Sequence, residues 1–126
     1  MANHYMQIAL QKTFAEELRT QCAALSGAGS GNQVSMTNAN FATAMINTGK
    51  IEHGAVAQYL KAASAKLSNT SGGMRIFFVA NVTYGDINGI LIHTDNSAFY
   101  HEMINDGNAV PITAAMFAAV SGLSQT

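Results

Sequence analysis

His93-Thr-Asp95 and, six residues on, His101-Glu102 are the residues in this chain whose types and spacing suit chemistry. Two imidazoles and a carboxylate form a donor set for a divalent metal ion, or a general base with the acid that orients it. Residues i and i+2 of a strand share a face. A strand ending near Asp95 therefore directs His93 and Asp95 the same way, and a short turn could bring His101 back over them. On this reading His93, Asp95 and His101 are the metal ligands, and Glu102 joins them as a candidate for acid–base work. The spacing matches no established signature such as H-E-x-x-H. Each residue also has a simpler role. Asp95 stands where a helix N-cap belongs. His101 and Glu102 fall opposite Phe99, Met103 and Ile104, on the wet side of a helix. His93 sits at a strand end, within reach of backbone hydrogen bonds. No cofactor is expected, with a divalent metal as the alternative.

Other reactive groups are fewer still. Cys22 is the sole cysteine, which excludes an internal disulfide and a multi-cysteine metal site. With His4, His53 or His93 as base it could act as a nucleophile, but a thiolate needs a nearby cation or a helix N-terminus. Cys22 instead falls late in an apolar helical stripe, where core packing is expected. The loop Ser26-Gly-Ala-Gly-Ser-Gly-Asn32 is rich enough in glycine to approach a phosphate. It follows a helix, however, and lacks a closing Gly-Lys-Ser/Thr, so a linker or mobile lid is the expectation.

The elements that must position these residues can be read from periodicity. Tyr5, Ile8, Phe14, Leu18, Cys22 and Leu25 predict a helix over about 4–25. Phe41, Ala44 and Met45 predict a second over about 38–48, capped by Thr37 or Asn38 and ended by Gly49. Val56, Tyr59, Leu60, Ala63 and Leu67 predict a third over about 52–67. The run 74–84 is rich in β-branched and aromatic residues, with Ile76 and Phe78 on one face and Phe77 and Val79 on the other. That pattern fits an interior strand covered on both sides. With a turn at 85–89 and a strand at 89–94 it forms an antiparallel hairpin. A short helix over 98–105, stopped by Gly107, and a small-residue helix over 112–122 complete the chain. A further short strand around 108–112 would be compatible. The fold class is α+β, in a single domain of 126 residues, with helices packed on a small antiparallel sheet.

Charge is the other constraint. Asp, Glu, Lys and Arg make up 10% of the residues, against roughly 25% in ordinary soluble domains. No charged side chain occurs between Thr20 and Gly49 or between Gly107 and Thr126. Residues 1–75 carry a balance of +3 and residues 76–126 a balance of −4. The two helices around Gly49 could imitate a helix-turn-helix, but Lys61 and Lys66 alone cannot neutralise a phosphate backbone, so no nucleic-acid partner is expected. No secretory signal and no membrane span are expected, which gives a cytoplasmic protein by default with signal-less export left open. The leading expectation is a non-enzymatic binding or self-assembling protein. Its partner would be itself as a homo-oligomer, or another protein. Ile112, Met116, Phe117 and Val120 of the C-terminal helix are the expected interface anchors, and the seven methionines suit an adaptable surface. The alternatives are a small metal-dependent, hydrolase-like enzyme using His93, Asp95 and His101, and an effector or immunity-type protein that acts by occluding a partner.

Overall fold

From His4 to Gln11 the apolar residues Met6, Ile8 and Leu10 recur at every second position and are buried, with Gln7 and Ala9 between them more open. That alternation makes a strand, β1 (His4–Gln11). The three- and four-residue helical step begins only at Phe14. Phe14, Leu18 and Cys22 are all buried in the helix that follows, α1 (Lys12–Ser26). The helix expected over 4–25 is thus corrected to a strand over its first eight residues. The interval from Ile8 to Phe14 fits no helical step.

The structure, a computed structural model, describes residues 3–26, 29–30, 33–48, 55–84 and 87–121. After α1 come β2 (Gly29–Ser30), β3 (Gln33–Thr37), α2 (Asn38–Asn47) and α3 (Ala55–Ala65). They are followed by β4 (Gly73–Tyr84), β5 (Ile87–Thr94), α4 (Ser97–Asn105), β6 (Val110–Pro111) and α5 (Ala114–Ser121). The second, fourth and fifth helices and the hairpin fall within a few residues of expectation. Residues 52–54 of the expected third helix, together with Gly49, His53 and Gly122, lie outside the described residues. So does much of the glycine-rich loop, of which Gly29 and Ser30 pair with Val34 and Gln33. Of the expected turn at 85–89, residues 85–86 lie outside the described residues, while Ile87, Asn88 and Gly89 belong to the strand, with Ile87 paired to Tyr84. At Gly89 a Cβ would lie 3.3 Å from the Gln7 side-chain amide, a tight but adjustable contact.

The strands form one antiparallel sheet in the order β2-β3-β4-β5-β1-β6. One face carries Met6, Ile8, Ile76, Phe78, Ile90 and Ile92, packed beneath α1 to α4 in a single apolar core. The other face carries Tyr5, Leu91 and Phe77, and α5 lays Phe117 against them in a second, smaller cluster. β4 is an interior strand with apolar residues on both faces, as its sequence implied. The fold is α+β, with most helices on one face of the sheet and one short helix on the other.

Local chemistry ends the elements. Thr37 Oγ1 accepts the Asn40 N–H at 3.1 Å and caps α2. Asn38, fully buried, donates its backbone N–H to the Gly72 carbonyl and its side-chain amide to the Ser71 carbonyl and Thr70 Oγ1. This latch fixes the turn before β4 against the start of α2. At the end of α4, Gly107 takes φ +75° while its N–H reaches the Ile104 carbonyl and the Asn108 N–H reaches that of Met103. These are the paired bonds of a Schellman cap, for which a left-handed glycine is the natural residue. No helix among the described residues is long and apolar enough to cross a membrane.

Candidate binding cleft at the end of the sheet

His93 lies one residue from the end of β5, with its register partners Tyr5 on one side and Arg75 on the other. Because Ile92 and Thr94 turn toward α1–α4, His93 points to the opposite face. Its ring stacks on Tyr5 at 4.5 Å with 10° between planes, and Phe117 of α5 approaches edge-on at 6.0 Å. Arg75 Nε and Nη2 lie 3.2 and 3.0 Å from His93 Nδ1. A guanidinium has only donors, so Nδ1 must accept and the imidazole proton belongs on Nε2. The pKa of His93 is lowered, first by burial and then by the Arg75 charge, with Asp95 acting in the opposite sense. His93 is therefore neutral at neutral pH. The Arg75 guanidinium also sits 5.9 Å from the centroid of the Phe117 ring, within cation–π range.

Asp95 follows the strand and shares a cleft with His93. The cleft is about 280 Å³ in volume, and Asn3, Ser35, Gly73, Arg75, His93 and Asp95 contribute to its lining, together with Met36 and Met74. Two glycines make room for it. Gly72 has φ +97°, and a Cβ there would come within 3.0 Å of the Asp95 carboxylate. At Gly73 a Cβ would lie 2.6 Å from the Met36 carbonyl oxygen, so β3 and β4 could not approach as they do. Asp95 is not the cap of α4, as the sequence had indicated. That role belongs to Asn96, whose Oδ1 accepts the Phe99 N–H at 2.8 Å.

His101 is placed elsewhere. Its Nδ1 meets the Ser97 carbonyl at 2.8 Å and its ring meets those of His4 at 5.7 Å and Tyr100 at 5.1 Å, while His4 stacks on Tyr100 at 4.4 Å. α4 packs on the helix-covered face of the sheet, whereas His93 turns to the other. The expected gathering of His93, Asp95 and His101 is therefore only half formed: His93 and Asp95 line one cleft, and His101 stands apart from it. Glu102 accepts Lys66 Nζ at 2.7 Å, tying α4 to the end of α3. Among the described residues no group of three His, Cys, Asp or Glu side chains is placed to hold a metal ion. Cys22 is buried and its thiol is pushed up to about 12 by burial, which leaves no thiolate for nucleophilic work.

The C-terminal residues expected at an interface divide. Phe117 is 0% exposed, covered by its own chain against Tyr5 and Leu91. The small-residue helix thus packs Phe117 on its own sheet, and Phe117 is not a free anchor. Ile112 is partly buried against the same cluster, and its N–H donates to the Tyr5 carbonyl at 3.0 Å. Met116 is 51% exposed, and Val110, which the sequence had not singled out, is 61% exposed. The side chain of Val120 lies outside the described residues.

Sequence reasoning also passed over Arg75, Gly72 and Gly73. The signal was present in a lone base at the head of an otherwise apolar strand, where pairing with β5 must set it beside His93. The chain matches no family model, no curated protein and no solved structure.

Proposed function

We propose that this chain is a non-enzymatic binding protein that associates with copies of itself through the corner formed by β6 and α5. The observation that carries this reading is the exposure of two large apolar side chains, Val110 and Met116, on neighbouring elements of that corner. Soluble proteins tolerate scattered apolar residues singly, and clustered ones mark contact surfaces. No charged residue lies between Gly107 and Thr126, so little electrostatic repulsion keeps copies apart there. The edge of the sheet supports the same reading. β6 pairs only with Met6 and Gln7 of β1, which leaves Ile8–Gln11 without a strand on that side among the described residues. A strand edge with no described neighbour is the kind of edge that an added strand can pair with.

Val110→Lys and Met116→Glu test the proposal. Both side chains are largely exposed, so each variant should keep the parent's thermal stability to within about 0.5 kcal/mol. Light scattering behind size exclusion should show the parent as an oligomer and the double variant as a monomer. An unchanged mass in the double variant would refute the assignment of this corner.

A further inference from the structure

Where the first strand meets α4 we infer a zinc-binding site in which His4 and His101 are the two protein ligands. This inference does not rest on self-association. The two histidines are distant in the sequence, yet the fold brings their ring centroids to 5.7 Å with 69° between planes. His4 has the strand parity of Met6 and Ile8, so it stands on the face that α1 to α4 cover. Tyr100 of α4 stacks on the His4 ring at 4.4 Å with 18° between planes and holds it beside the helix. His101, the next residue, meets both rings edge-on. His4 is half-buried and His101 exposed, so an ion can reach the pair from water.

The separation suits one tetrahedral ion. Zinc–nitrogen bonds of about 2.0 Å at a tetrahedral angle put two coordinated ring centroids roughly 5 Å apart. A small rotation of the exposed His101 side chain closes the difference. Its tautomer is already set. His101 Nδ1 lies 2.8 Å from the Ser97 carbonyl oxygen, which can only accept, so in the neutral ring Nδ1 carries the proton and Nε2 the lone pair. Metal-bound histidines donate their other ring N–H to a backbone carbonyl in the same way, which fixes the ring and raises its basicity. His4 makes no hydrogen bond through its ring among the described residues, so binding breaks none there.

Two protein ligands are fewer than the four of a closed structural site. No group of three His, Cys, Asp or Glu side chains is placed to hold the ion among the described residues, so water completes the coordination. The ion would tie the first strand to α4, and a ligand that binds only the folded chain stabilises it.

The test is calorimetric titration of the full chain with zinc chloride in a buffer that does not bind zinc, followed by thermal melts with and without the ion. Zinc should bind saturably, one ion per chain, and raise the melting temperature. The imidazole NMR signals of His4 and His101 should shift together as zinc is added. His101→Gln, at an exposed position, should keep the zinc-free melting temperature and weaken binding by about tenfold or more. His4→Phe keeps a ring on Tyr100 but offers no nitrogen, and should weaken binding by a similar factor. If that variant fails to fold, His101→Gln and the His4 imidazole signals of the parent still decide. The inference is overturned if zinc does not bind saturably, or if either folded variant binds it as tightly as the parent. It is equally overturned if zinc leaves the His4 or His101 imidazole signals unmoved.

Discussion

At His93 the sheet sets a guanidinium beside an imidazole, an arrangement that holds only while the imidazole is neutral. The lowered pKa of His93 gives this a measurable consequence. As pH falls through the ordinary value of 6.5, the unfolded chain takes up the proton before the folded one does. The folded state then loses ground to the unfolded state, so this contribution is intact above about 6.5 and declines below it. Urea unfolding should therefore show stability falling as pH drops through that region, and His93→Gln, which keeps an acceptor for Arg75, should flatten the fall. Equal slopes in the two proteins would contradict the placement. Cys22 gives a second test at this scale. A thiol buried under α1 with its pKa near 12 should resist a disulfide reagent in the native protein and react at once in denaturant.

Glycines report on the elements. Gly107 ends α4 at φ +75°, and a Cβ there meets nothing within 4 Å. Gly107→Ala should therefore cost only the left-handed penalty of about 1–2 kcal/mol, with the fold unchanged. Gly73→Ala should cost more and also disturb Arg75, since the new methyl would lie 2.6 Å from the Met36 carbonyl and must push β3 from β4. In α5, Phe117→Ala should lower stability by about 3 kcal/mol, as expected for a buried aromatic ring, and should not by itself release a subunit. Denaturant melts of the three variants check these outcomes. Much of this layer was legible in the sequence. The Phe41–Met45 and Phe99–Ile104 helices, the 74–94 hairpin and the stop at Gly107 all follow from period and cap chemistry. What stayed hidden was nonlocal. Whether Tyr5 and Ile8 opened a helix or lined a strand depended on β5 being there to pair with them. His101 could not be separated from His93 without knowing that the sheet lies between them. Arg75 gained its place in the cleft only from the β4–β5 register.

For the whole molecule, sparse charge and a second sheet face that carries one short helix among the described residues motivate the same reading. Four helices cover one face, while α5 shields the other where Tyr5 and Leu91 meet Phe117. Beside it, Val110 and Met116 face water and β1 runs on past its two-residue neighbour. The direct measurement is sedimentation equilibrium of the unmodified chain over a concentration series from low to high micromolar. The account predicts a mass that rises with concentration above the 13.3 kDa subunit and converges on a defined oligomer. A constant mass of one subunit across the whole series would contradict it.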